Sequence, residues 1–194
     1  DLEYKYRELS HEDQGKVYEY FLWTFAYMRE NRKVNEIIKS FTYWTIPRFH
    51  FVIYYSILVG DYDRAQELIN MAFQYAAKMR SNYSSIDQLQ IEEGQNNTQI
   101  LIESQEVLNY KLNKTPSDQI ESFWKKRVKY FQRSKRNWEK TILLRELVIP
   151  PYVNISYYIP IISQLRKSKL FSLIDFYFMK HLNYSSDPQV LIEK

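Results

Sequence analysis

Lys125, Lys129, Arg133, Arg136 and Lys140 recur at spacings of four, four, three and four. On one continuous helix that spacing puts all five on a single face, opposite Trp124, Val128 and Phe131. Backbone phosphates supply the matching charge. Neutralising about five of them makes binding fall steeply with salt. Arg166, Lys167 and Lys169 carry the positive character further along the chain. From Ile120 to Lys169, twelve Lys/Arg stand against Glu121, Glu139 and Glu146, a net of +9. The whole chain nets +4, which leaves −5 for the remainder. A basic block in a near-neutral protein points to a partner: single-stranded nucleic acid first, an acidic protein second. The plain alternative is a solvated face.

Tyr152, Tyr157 and Tyr158 lie close to this block. Unpaired bases stack on aromatic rings set beside cations. Tyr157 reads as packing inside a helical hairpin, and Tyr158 as the ring open to stacking. Catalytic constellations are missing from the sequence. His11, His50 and His181 are far apart, and none has a metal-type partner at i+3 or i+4. His50, beside an apolar run, reads as a packed residue. Glu92 with Glu93, and Asp61 with Asp63, read as solvated charges. There is no P-loop, no dinucleotide fingerprint and no Gly-x-Ser-x-Gly elbow. With no Cys, disulfides, thiolate metal sites and a Cys nucleophile are excluded together. The expectation is a non-enzyme without catalytic residues, metal or cofactor.

The elements that must position these residues read as helices. Three Gly and six Pro in 194 residues leave few breakers, and 45% hydrophobic residues suffice for a core. The 18 Tyr suit helix seams, ring inside and hydroxyl wet. Val17, Phe21, Phe25 and Met28 form a first apolar stripe, which Glu30 to Lys33 breaks. Val34, Ile37, Ile38, Phe41 and Trp44 form a second, closed by Pro47. Phe49 to Val59 is apolar without alternation, which predicts a buried helix. Gly60 ends it and Asp61 caps the next, whose stripe is Ala65, Leu68, Ile69, Ala72, Phe73 and Ala76. Ser81 to Gln99 is polar and reads as a loop. Ile100, Leu101, Val107, Leu108 and Leu112 suggest one more helix. Thr115 as cap, Pro116 in the first turn and Asp118 near the helix start open the basic segment.

That segment reads as two copies of one hairpin. Phe123 to Phe131 and Trp138 to Val148 flank a break at Ser134 to Asn137. Ser156 to Leu165 and Leu170 to Leu182 flank a break at Arg166 to Lys169. The similar stretches Gln132–Lys135 and Arg166–Lys169 lie 34 residues apart. Helix pairs repeated at such a spacing predict a solenoid, in which each unit buries its apolar face against its neighbours. The expected division is a polar segment at 1–14, two hairpins at 15–80, an insertion at 81–114, two basic hairpins at 115–188 and a tail at 189–194. No apolar run approaches ~18 residues, so no membrane span is expected. The start at Asp1 suggests a fragment or processed form. The Asn-X-Ser/Thr triplets at Asn82, Asn96, Asn113, Asn154 and Asn183 read as chance in an intracellular chain.

The stretch from Pro151 through Tyr157-Tyr158 to Lys169 resembles a pentatricopeptide repeat. Gly60-Asp61-Tyr62-Asp63-Arg64-Ala65 is similar to a break found in both pentatricopeptide and tetratricopeptide repeats. The resemblance implies an all-α fold, an α-solenoid of antiparallel helix pairs in a right-handed superhelix. It implies a non-catalytic RNA-binding module, similar to fungal mitochondrial factors for RNA maturation and translation, acting in the mitochondrial matrix. Single-stranded RNA would meet Lys125, Lys129, Arg133, Arg136, Lys140, Tyr158, Arg166, Lys167 and Lys169. Tyr158, Val153 and Asn154 occupy the base-reading region, and neither Tyr158 nor Val153 is a usual reader, so shape and charge would outweigh a base code. The rival expectation is a tetratricopeptide-like scaffold. It would grip a partner protein through aromatic residues around Trp23, Trp44, Phe49 and Tyr54.

Overall fold

In a computed structural model of the chain, the apolar run after Pro47 is a helix buried on nearly every side. The structure describes residues 30–81, 88–127, 135–150, 155–167 and 169, and none of these is in a strand. The helices among them are α1 (Asn31–Lys39), α2 (Ile46–Val59), α3 (Tyr62–Ser81), α4 (Gln88–Lys111), α5 (Ser117–Arg127), α6 (Lys135–Glu146) and α7 (Ile155–Lys167). The chain forms two compact units, Asp1–Met79 and Arg80–Lys194.

In the first unit, α1 buries Val34 and Ile38, one turn apart, and leaves its charges outside. The expected break at Glu30–Lys33 is instead the first turn of α1, where Val34 N–H donates to the Glu30 carbonyl at 3.1 Å. The stripe expected to run on to Trp44 stops at Ser40, whose hydroxyl donates to the Ile37 carbonyl at 2.7 Å. Pro47 opens α2 rather than closing the helix before it: it sits in the first turn of α2, where no N–H is required. Thr45 is the extended N-cap, its hydroxyl oxygen accepting from Arg48 N–H at 3.4 Å. Phe49, Phe51, Val52, Ile53, Tyr55 and Ile57 are all buried, as an all-round apolar helix requires.

Gly60 ends α2 at φ +83, a conformation other residues adopt only at a cost. It lets Asp61 N–H reach the Ser56 carbonyl at 2.8 Å and its own N–H reach Ile57 at 3.2 Å. Asp61 then caps α3, its carboxylate accepting from Arg64 N–H at 3.4 Å. Ala65, Leu68, Ile69 and Ala72 form the buried stripe of α3. Tyr55 O–H donates to the Asn31 carbonyl at 3.4 Å and ties α2 to α1. Burial pushes the Tyr55 phenol pKa up, against smaller opposing effects from Arg64 and Asn35.

In the second unit, the expected loop from Ser81 to Gln99 is helical from Gln88 onward, as the N-terminal half of α4. Gln and Glu are good helix formers, and they outweigh Gly94, Asn96 and Asn97 once the buried turns at Ile100, Leu101, Val107 and Leu108 supply a nucleus. Side-chain bonds one turn apart reinforce it: Thr98 to the Gly94 carbonyl at 2.8 Å, and Gln105 to Asn109 at 3.2 Å. Asn113, at φ 56, closes α4, with Lys114 N–H on the Asn109 carbonyl at 2.8 Å and Asn113 N–H on Tyr110 at 2.9 Å.

Helix α5 starts one residue after Pro116, whose carbonyl accepts from Ile120 N–H, and carries Asp118 in its first turn. Helix α6 covers Arg136 and Asn137, which the sequence reading placed in a break. Helix α7 contains Pro160, which removes one backbone donor from its interior. Lys169, at φ 58, takes the left-handed turn that a glycine often makes. Within this unit α4 packs on α6 and α5 on α7, so each helix meets the next but one. The expected helices at Val17–Met28 and Leu170–Leu182 lie outside the described residues.

Candidate functional site

The basic residues whose side chains the structure describes do not form one exposed stripe. Lys125 is exposed and its Nζ lies 2.6 Å from Glu121 Oε1, one turn back on α5. Lys140 is buried, at 8% exposure, against the expectation of a phosphate contact. Its neighbours Thr141, Ile142 and Leu144 are buried too, so this turn of α6 lies inside the unit. Arg136 stands in the first turn of α6, and Lys129 and Arg133 lie outside the described residues. Arg166, Lys167 and Lys169 are exposed at the C-terminal end of α7, where cations suit the free carbonyls.

Tyr158 also requires correction. The sequence reading left it open for stacking, yet it is 1% exposed. With Ile161, Ile162 and Leu165 it forms the buried stripe of α7, at i, i+3, i+4 and i+7. Its hydroxyl donates to the Ile149 carbonyl at 2.6 Å. No base can reach that ring without unpacking the helix.

What the basic segment builds is an internal ion network that the sequence reading missed. Glu103 on α4 and Arg145 on α6 are both 0% exposed. Arg145 grips Glu103 with two hydrogen bonds, Nε to Oε2 at 2.8 Å and Nη2 to Oε1 at 2.7 Å. One turn along α4, Glu106 accepts two bonds from Arg127 of α5, at 2.6 and 2.7 Å. Trp124 Nε1 donates to the same carboxylate at 2.8 Å, and the Arg145 guanidinium lies 5.2 Å from the Trp124 ring centre. Gln99 donates to Glu103 at 3.1 Å. Two acids and two arginines thus balance across three helices, with the indole between them. The hydrogen bonds that Arg127 donates to Glu106 hold the Arg127 pKa above its usual value, against the opposing effect of burial. Forked pairs offset part of the desolvation penalty, and among the described residues each carboxylate accepts three hydrogen bonds. One signal for it was in the sequence. Glu103 falls within the apolar stripe of α4, and an acid in such a stripe demands a buried cation.

The aromatic residues named for a scaffold lie in the first unit. Trp44 stacks on Phe49, ring centres 4.7 Å apart, and meets Phe41 edge-on at 6.1 Å. Phe49 is 2% exposed and meets Tyr75 at 5.8 Å, so it is core. Trp44 and Tyr54 are half-buried, and Trp23 lies outside the described residues. Tyr43, Val59, Met71 and Met79 of this unit, and Phe123 of the second, are large apolar side chains left in solvent.

The family model of the FAT domain matches residues 15–194. The chain belongs to the FAT-domain family. FAT domains are α-helical repeat domains found in PIKK kinases, so the fold is all-α and solenoid-like, as expected. No curated protein and no solved structure matches the chain. Among the described residues of this FAT-domain chain, no three His, Asp or Glu gather as metal ligands. No described helix is long and apolar enough to cross a membrane. Among the described residues, a dense set of ionisable side chains is the Glu103–Arg145 and Glu106–Arg127 network. Those groups bond one another across helices, which ties α4 to α5 and α6.

Proposed function

We propose that this FAT-domain chain is a non-catalytic helical scaffold that engages partner proteins. One observation carries the reading: four cations of the basic segment are turned inward or paired. Arg127 and Arg145 close on α4 carboxylates, Lys140 is buried, and Lys125 is paired along its own helix. Meanwhile Tyr43, Met71 and Phe123 are held in solvent at 57%, 47% and 44% exposure. Aromatic and Met side chains are enriched in protein interfaces, where lysine is depleted.

A single-stranded RNA partner remains the second reading, in line with the pentatricopeptide resemblance. It rests on Lys126, Arg166, Lys167 and Lys169, which are exposed. The distinguishing experiment is size-exclusion chromatography of the native protein from gentle cell lysates, with and without ribonuclease. The scaffold elutes in a complex larger than the chain alone, and ribonuclease leaves the complex intact. Elution at the monomer position, or collapse of the complex on ribonuclease treatment, overturns the scaffold.

A further inference from the structure

We infer that the turn between α1 and α2 is an anchor for a partner protein's carboxylate flanked by apolar side chains, with Arg48 as its fork and Tyr43 as the ring beside it. The inference rests on the scaffold reading and names the partner's chemistry.

Arg48 sits in the first turn of α2. Its guanidinium carbon lies 4.1 Å from the centre of the Tyr43 ring and 4.6 Å from that of Phe41. Its Nη1 donates to the Tyr43 carbonyl at 2.7 Å. Two rings and a carbonyl therefore fix the plane of the group before any partner arrives. Behind it, Trp44 lies edge-on to Phe41 and flat on the buried Phe49, which makes the floor rigid. Arg127 and Arg145 each meet a glutamate in a two-point fork, and Arg32 meets Glu36 at 3.1 Å. Among the described residues, no carboxylate pairs with Arg48. A guanidinium has five N–H donors in a planar fork shaped for a carboxylate, and among the described residues the Arg48 guanidinium makes one hydrogen bond.

The surroundings favour a protein over a nucleic acid. Phosphate tracks need a row of cations. Between Glu30 and Gly60 the cations are Arg32, Lys33, Lys39 and Arg48, and the first two are already paired to Glu36 and Glu30. Lys39, exposed in the last turn of α1, is the one further cation of that stretch. Arg, Tyr and Trp are the residue types that dominate interface hot spots. Here they come pre-ordered, so little rotamer freedom is left to lose on binding. The exposed face of Tyr43, 57% open, is where the partner's apolar neighbour would lie.

The test uses fluorescence anisotropy on the whole chain. The probe is a short, capped, dye-labelled peptide alternating Leu and Glu. Controls are its Leu/Gln isostere and a labelled oligouridine. The acidic peptide should bind, and the isostere should bind about thirtyfold more weakly or worse, the loss typical of a hot-spot contact. Arg48→Gln should lose about the same factor, and Arg48→Lys, which keeps the charge without the fork, should lose part of it. Lys125→Gln should change nothing. Circular dichroism confirms that each variant is folded. Equal binding of the two peptides, no acidic-peptide binding, an unchanged affinity in a folded Arg48→Gln, or an Arg48 dependence confined to the oligouridine each overturns the anchor. A ribonuclease-resistant complex that persists with Arg48→Gln removes the anchor and leaves the scaffold. Loss of the complex from the native protein removes both.

Discussion

Replacing Arg145 with Ala leaves the Glu103 carboxylate at 0% exposure without its forked partner, removing hydrogen bonds of 2.8 and 2.7 Å. Breaking one side of a buried pair costs about 3–5 kcal/mol, because the surviving charge keeps its desolvation penalty. Arg127 Nη1 is 3.9 Å from Glu103 Oε1, close enough to take up part of the load. That places the loss near the lower bound, about 3 kcal/mol. With a urea slope of about 2 kcal/mol per molar, the midpoint falls by about 1.5 M. Urea unfolding followed by amide hydrogen exchange in α4 and α6 reads the second unit by itself. Replacing the pair with Leu at Glu103 and Met at Arg145 should recover most of the loss, since apolar substitutes of similar volume are often neutral or better. A loss under about 1 kcal/mol for Arg145→Ala would show that the pair is well solvated in solution and would refute the reasoning.

Three further outcomes are expected. Tyr158→Phe orphans the buried Ile149 carbonyl and should cost about 1 kcal/mol, up to ~3, in a urea titration; no measurable loss would contradict the buried hydrogen bond. The two described glycines should respond oppositely although neither has an atom within 4 Å of an added Cβ. Gly60→Ala, at φ +83, should destabilise by about 1–2 kcal/mol, while Gly94→Ala, inside α4, should stabilise by about 0.5–1 kcal/mol, both read from thermal melts. The Tyr55 phenol has a folded pKa above its ordinary 10.0, so the folded state holds this proton more tightly than the unfolded chain. Its stabilising contribution is complete below pH 10.0 and is lost as pH rises through the folded value. Melts across the alkaline range should therefore fall less steeply for Tyr55→Phe, and parallel curves would dismiss the effect.

The parts of the fold legible in the sequence are those written in neighbouring residues. The apolar run at Phe49, the positive φ at Gly60 and the cap at Asp61 each depend on contacts a few residues away. Pro47 was misread because a proline both follows one helix and begins the next, and Thr45 decides the matter by capping forward. The N-terminal half of α4 looked like a loop because Gly94 and the two Asn weigh heavily in a local reading. What makes it helical is the packing that follows in the same helix. The candidate site was less legible. Arg127 and Arg145 find their acids 21 and 42 residues back along the chain, a pairing that local spacing does not encode. The same long-range pairing makes a basic block in the sequence a poor guide to a basic surface. Tyr158 was placed by its distance from cations, whereas its i+3, i+4 and i+7 companions put it in the core.

Anisotropy of a labelled single-stranded RNA, titrated with the chain between about 50 and 200 mM salt, bears most directly on whether the basic segment serves the interior or a nucleic acid. A stripe neutralising five phosphates gives a log–log salt slope near −3.5, at about −0.7 per contact on a single strand. With Lys125, Arg127, Lys140 and Arg145 paired or buried, the chain should bind weakly, with a slope no steeper than about −2.8 even if the exposed Lys126, Arg166, Lys167 and Lys169 all took part. Tight binding with a slope near −3.5, abolished by charge reversal at Lys129 and Arg133, would contradict the scaffold and restore the RNA reading.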